Sequence, residues 1–324
     1  MTALLSLLLL GTLLSTAVPG RLARARWAER EPVLALCAWQ CLVVAVLLCC
    51  VLSLLLASAA ALPGLRALLF QGAPQGVEEA YGLAGAEGWG RLSAAVLAAG
   101  GIWTALSLAR EVRSARALRG RRNAQLDHRA PELPKELAGA AGAAPQWPRA
   151  ARERLVVLEN VRPEAWSVPG PGARLVVTTG ALQQLSDREL AAVLSHERGH
   201  VRARHHWLLQ CAEALAGGFP GVEVFAAFRD QVGELVELAA DDRAARRHGR
   251  VTTALALVEL NSGRGVFGPC RPGHLAQSPR RVDRLLAGEP RLSVARRLQF
   301  TLAAVAAPAA ALLLAAAPGL TALT

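Results

Sequence analysis

The chain has 324 residues, 53% of them hydrophobic and only 4% aromatic, with a formal charge of +11 and an isoelectric point near 10.9. Apolar residues gathered in Ala/Leu runs point to membrane spans and leave length for about one soluble domain. The excess of base is almost all arginine, Lys135 being the sole lysine, and it crowds the ends of apolar runs without any nucleic-acid motif; a lipid bilayer is the expected partner, and direct nucleic-acid binding is not expected.

Residues 3–18 form the first apolar run. No basic segment precedes it and no small-x-small cleavage site follows, so it is expected to be an uncleaved span. Arg21, Arg24, Arg26 and Arg30 come next, against Glu29 and Glu31. A second run, 33–62, is longer than one perpendicular crossing needs and is expected to tilt or to leave the bilayer in part. The 63–91 segment carries Glu78, Glu79 and Glu87 against Arg66 and Arg91. A third run, 92–109, ends at Arg110, Arg113, Arg116, Arg119, Arg121 and Arg122. A fourth, from about Phe300 to Ala317, starts beside Arg296 and Arg297 and is interrupted by Pro308. The positive-inside rule puts the arginine-rich segments in the cytoplasm, with the amino terminus and the 63–91 loop outside. The expected organisation is three spans in 1–110, a cytoplasmic domain in 111–297, and a fourth span with a short tail in 298–324.

The domain opens on a Pro/Ala/Gly-rich linker, 130–148. Two stretches with β-branched centres, Arg154–Glu159 and Arg174–Thr179, flank the turn-forming PGPG at 169–172 and predict a small antiparallel unit. Of the six cysteines, Cys37, Cys41, Cys49 and Cys50 share one apolar run while Cys211 and Cys270 stand apart. No CxxC pair occurs, so they read as small packing residues rather than a disulfide or zinc framework.

Ser186–His206 then concentrates the chemistry. Ser186 and Glu189 make a capping box, and Leu190, Val193, Leu194 and Val201 give an apolar stripe at helical spacing. On that helix lies His196-Glu197-Arg198-Gly199-His200, an HExxH motif. Positions i and i+4 stack on one helix face, so both imidazoles can reach one Zn²⁺ ion while Glu197 acts as general base toward a water. The stretch Trp207–Phe228, broken by Gly217, Gly218 and Pro220, reads as helix packed on the domain or the bilayer surface, with a membrane hairpin as the alternative. A helix from about Asp230 to His248, closed by Gly249, carries Glu234, Glu237 and Asp241.

The zinc still needs a third ligand. His206 stands where metzincins place theirs, but the glycine that family needs is Ala203 here, and Met1 is the only methionine, so no Met-turn can follow. His205 and His206 are therefore expected to be surface or interface histidines at the end of the helix, near anionic lipid. Glu237 is the better ligand, with Glu234 as fallback; Asp241, one turn on, suits a hydrogen bond that fixes a ligand histidine.

With these pieces in order, the chain resembles the membrane-embedded gluzincin metallopeptidases, which include the CAAX prenyl endopeptidase and heat-shock membrane protease group and the β-lactam sensor-transducer peptidases. The resemblance covers about residues 164–286 and rests on EAWSVPG, ARLVVTTGALQQLS, SDRELAAVLSHERGHVRARHH, ELAADDRAAR and SPRRVDRLL. It implies an α+β zincin-like domain inserted between the third and fourth helices of a mostly α membrane protein. Zinc would be bound by His196, His200 and Glu237, with Glu197 as base and Asp241 behind the ligands. It further implies a substrate-edge strand through Ala165, Arg174, Val176 and Thr178 that pairs with an extended peptide. Many relatives carry Asn-Ala where this chain has Glu164-Ala165, so backbone groups of Ala165 would serve instead. His274 and Arg281 are the two candidates for stabilising the oxyanion.

The order of spans is that of the sensor-transducer branch. Only a few residues follow the fourth run, so sensing is expected to fall to the 63–91 loop, the spans or a partner. The activity expected is zinc-dependent cleavage of a cytoplasmic protein, by analogy a transcriptional repressor. The alternatives are quality control of membrane proteins or a non-catalytic scaffold.

Overall fold

The computed structural model describes residues 2–74, 76–83, 87–129, 154–168, 173–262 and 278–323. The 130–148 linker, the 169–172 turn, Cys270 and His274 lie outside these residues. The chain divides into two compact units, Met1–Glu111 with Cys211–Leu235 and Arg291–Thr324, and Val112–Gln210 with Val236–Pro290.

The first unit is helical because its apolar runs lack the β-branched alternation of strands and must satisfy every backbone group internally in hydrocarbon. Its elements are α1 (Thr2–Ala23), α2 (Trp27–Arg30), α3 (Pro32–Ala61), α4 (Pro63–Phe70), α5 (Val77–Ala80), the apolar start of α6 (Glu87–Arg129) and α13 (Val294–Thr321). Among the described residues four helices are long and apolar enough to cross a membrane: α1, α3, Gly90–Leu118 within α6, and α13. Leu7, Cys49 and Ala311 meet in a buried cluster joining α1, α3 and α13. Gly11 lets α1 approach α3, since a Cβ there would stand 3.1 Å from Cys49. Trp27 stacks on Phe300 with centroids 4.6 Å apart, and the Tyr81 hydroxyl donates to the Ala315 carbonyl at 3.1 Å. Leu5, Leu9, Leu13, Leu302 and Leu313 remain exposed, as lipid-facing side chains should be. Pro308 does not interrupt α13, which runs continuously through it; membrane helices tolerate proline where neighbouring groups satisfy the freed carbonyl.

The second unit holds strands β1 (Arg154–Leu158), β2 (Ala165–Val168) and β3 (Arg174–Thr178), then α7 (Thr179–Gln184) and α8 (Asp187–Arg202). α9 (His205–Gly218) and α10 (Glu223–His248) each run through both units, and α11 (Arg250–Ser262) and α12 (Ser278–Ala287) complete the second. The sheet corrects the antiparallel expectation. Its order is β1-β3-β2; β1 runs parallel to β3, pairing Leu155 with Leu175, and only β2 runs antiparallel to it, pairing Ala165 with Val177. The cause is β2 itself, a four-residue strand between the two legible ones, which makes the return from β1 a crossover and leaves 169–172 to connect β2 with β3. β3 is buried on both faces, as a central strand is: Leu175 and Val177 join Val193 and Leu194 of α8 in one core, while Val176 packs with Val168 on the other face. Thr178 closes the strand, accepting from the Ala181 N–H at 3.2 Å as cap of α7 and donating to the Arg162 carbonyl at 2.7 Å. Behind it Gly180 lies against the Val161 carbonyl, where any Cβ would collide with backbone.

Candidate metal centre

α8 begins with the capping box, the Glu189 carboxylate accepting from the Ser186 N–H at 2.8 Å. Its apolar stripe seats it on the sheet, which turns His196 and Glu197 inward; both are buried. The opposite wall is α10, ended by Gly249 at φ 89°. The two helices pack closely at Gly199, where a Cβ would stand 3.5 Å from Ala240 and 3.3 Å from the Arg243 side chain.

Three ligand atoms converge. His196 Nε2 lies 3.0 Å from His200 Nε2, and Glu237 places Oε2 3.5 Å from the first and Oε1 3.5 Å from the second. All three residues offer a ligand atom within 4.8 Å of the others, and Glu234 is not among them. A tetrahedral zinc site with bonds of about 2.0–2.2 Å has ligand–ligand edges of roughly 3.3–3.6 Å. Two imidazoles and one carboxylate are also the donor set of hydrolytic zinc sites. The residues present fit the ion.

Each ligand has a partner behind it. His196 Nδ1 lies 3.0 Å from Asp241 Oδ1. Asp241 is gripped in turn by Arg281, whose Nε and Nη2 donate to its two oxygens at 2.8 and 2.7 Å, while Arg281 Nη1 lies 2.9 Å from Glu237 Oε2. Arg284 and Asp242, 2.7 Å apart, repeat the pairing and fasten α12 to α10. Burial alone would raise the Asp241 pKa, but Arg281 and His196 outweigh it and bring it to about 2. Burial would likewise raise Glu237, which His200, Arg281 and His196 hold well below the usual carboxylate range. Burial would lower His196, but Asp241 and Glu237 raise it to about 9; at His200 burial prevails and lowers it to about 3.

Glu197 takes the opposite direction. Burial pushes it up to about 7, against the pull of His196 and of hydrogen bonds from the side chain and backbone of Ser167. Ser167, on β2, escaped the sequence reading because a lone serine in a short strand carries no pattern.

Two expectations change here. Arg174, Val176 and Thr178 lie on the central strand β3, whose edges are taken by β1 and β2, so they cannot add a peptide strand. Among the described residues the open edge beside α8 is that of β2, which carries Ala165 and Ser167. His205 is not a surface residue: it is buried, and its Nδ1 lies 3.0 Å from His200 Nδ1. His206 is partly buried, its ring 5.8 Å from that of Trp207.

The profile of Peptidase family M48 matches residues 127–219, which contain the sheet and the HExxH helix. A "Protease HtpX homolog" of Ralstonia nicotianae is 32% identical over 107 residues, 32% of this chain and 35% of that protein. A "Protease HtpX homolog" of Ralstonia pickettii is 32% identical over 104 residues, 31% of this chain and 34% of that protein. The chain thus spans about a third of the length of the curated relatives it matches. No solved structure matches it.

Proposed function

We propose, on the premise that this chain carries a zinc-metallopeptidase domain of family M48, that it is an integral membrane endopeptidase whose site faces the cytoplasm and cleaves a protein there. The observation carrying this reading is the meeting of His196, His200 and Glu237 around one ion-sized position with a buried glutamate, Glu197, next to them in the chain.

Zinc bound by these three residues would supply a Lewis acid for the scissile carbonyl and lower the pKa of a water. Glu197 takes the proton of the attacking water and returns it to the leaving amine. Its raised pKa suits both halves of that transfer. Asp241 holds the tautomer of His196 that turns Nε2 toward the ion, and Arg281 keeps Asp241 and Glu237 in place. The open edge of β2, at Ala165 and Ser167, offers backbone groups to an extended peptide, which selects conformation more than sequence.

The cytoplasmic orientation rests on Arg21, Arg24, Arg26 and Arg30 after α1, on the arginines that continue α6, and on Arg296 and Arg297 at the start of α13. A repressor-type substrate in a signalling pathway remains the reading by family analogy. Quality control of membrane proteins is the second reading.

The test is zinc content and casein hydrolysis of the detergent-purified full chain, wild type against Glu197→Gln, with amino-terminal proteomics of cytoplasm and membrane fractions. Activity in the wild type alone, with zinc in both, supports the enzyme. Equal activity in the two overturns it. New amino termini on a soluble regulator or on membrane proteins separate the two roles.

A further inference from the structure

We propose that His205 is a positioning residue for His200: its Nδ1 accepts the His200 Nδ1–H and so leaves His200 Nε2 free to face the metal position. The inference rests on the zinc-peptidase reading above and adds a residue to it.

A neutral imidazole carries one N–H and one lone pair, and which nitrogen holds the proton is set by what the other ring nitrogen meets. His200 Nε2 points to the position shared with His196 Nε2, 3.0 Å away, and with Glu237. To bind a cation there, Nε2 must offer its lone pair, so Nδ1 must carry the hydrogen and needs an acceptor. The acceptor is His205 Nδ1 at 3.0 Å, with the rings 4.9 Å apart and nearly perpendicular at 85°. That edge-on approach lets the hydrogen of one ring meet the in-plane lone pair of the other. His205 then carries its own hydrogen on Nε2.

The backbone supports the assignment independently. α8 stops at Arg202, and Arg204 adopts φ 53°, the only positive φ at a non-glycine among the described residues. A left-handed arginine is uncommon and costs conformational energy, so such an outlier points to something the turn achieves. Here the turn brings His205 back onto the last turn of α8 and buries it to 6% exposure, while Ala203 and Arg204 just before it are exposed. The metzincin pattern places its turn-forming glycine at position 203, which is alanine here. The reversal occurs one residue later, and the histidine it returns meets a ligand's far side, not the ion.

The two ligand histidines are therefore backed alike by position and unlike by charge. His196 leans on the carboxylate of Asp241, and His200 on a neutral ring.

The experiment measures zinc affinity of the full chain in detergent by competition with a chromophoric chelator, for wild type, His205→Ala, His205→Asn and His205→Asp. Loss of such a partner lowers metal affinity about 10–100-fold, which is the result expected for His205→Ala. His205→Asn and His205→Asp keep an acceptor oxygen, and at least the aspartate is expected within about threefold of wild type or tighter. Melting of the zinc-free variants within about 2 °C of wild type shows that the loss is not one of folding. The inference is overturned if His205→Ala binds zinc like wild type, or if His205→Asp loses as much as a folded His205→Ala. Should the alanine variant fail to fold, His205→Asp decides alone, by retaining or losing zinc. A wild type that binds no zinc would instead overturn the peptidase reading itself, and this inference with it.

Discussion

Replacing Arg281 by methionine separates a structural clamp from a catalytic cation. Arg281 is 6% exposed, and its guanidinium meets two carboxylates through contacts of 2.7, 2.8 and 2.9 Å. Methionine fills similar volume but leaves Asp241 and Glu237 buried without their counter-charge. Removing one partner of a buried ion pair costs about 3–5 kcal/mol, because the remaining charge keeps its desolvation penalty. For a domain of this size, where 1 kcal/mol shifts the midpoint by roughly 2–4 °C, zinc-free Arg281→Met is expected to melt about 6–20 °C below wild type. Zinc supplies positive charge to Glu237, so adding it should close part of that gap. Differential scanning fluorimetry of the full chain in detergent, with and without zinc, reads both effects. If Arg281 served mainly to stabilise an oxyanion, as the sequence alone allowed, kcat would fall while the midpoint stayed put. A zinc-free midpoint within about 2 °C of wild type would refute the clamp.

Other outcomes follow from the same geometry. Glu197→Gln is expected to lower casein hydrolysis about 10²–10⁴-fold without changing zinc content, since it removes a proton acceptor but no ligand; mass-spectrometric metal analysis beside the rate checks both halves. Stripping zinc with a chelator should abolish activity and lower the melting midpoint, because zinc at 100 times its Kd contributes about 2.7 kcal/mol; restoring zinc should return both. Gly180→Ala puts a methyl against the Val161 carbonyl, so its midpoint is expected to fall by about 2–12 °C, an overpacking cost of about 1–3 kcal/mol, and calorimetry tests it.

Local patterns carried much of this molecule. Four apolar runs become four long helices because hydrocarbon leaves the backbone no partner but itself. The HExxH spacing places His196 and His200 on one face by helix geometry alone, and Ser186 with Glu189 marks where that helix starts. Glu237 and Asp241, one turn apart, were legible as a pair, though only as chemistry in search of a partner.

What lies between elements was not legible. Strand pairing is a non-local choice, and the four residues of β2 are too few for an alternation to stand out, so β3 became the centre of the sheet and the free edge passed to β2. Arg281 was read as a cation awaiting charge, whereas packing of α12 on α10 spends it on Asp241 and Glu237. His205 was assigned to the surface or an interface by its place after the helix. A left-handed Arg204 turns it inward, a backbone state that arginine's own preferences oppose and that burial beside His200 sustains. Periodicity and spacing thus determined which side chains share a face. Only the folded chain decided which faces meet, because that depends on close packing among residues far apart in sequence.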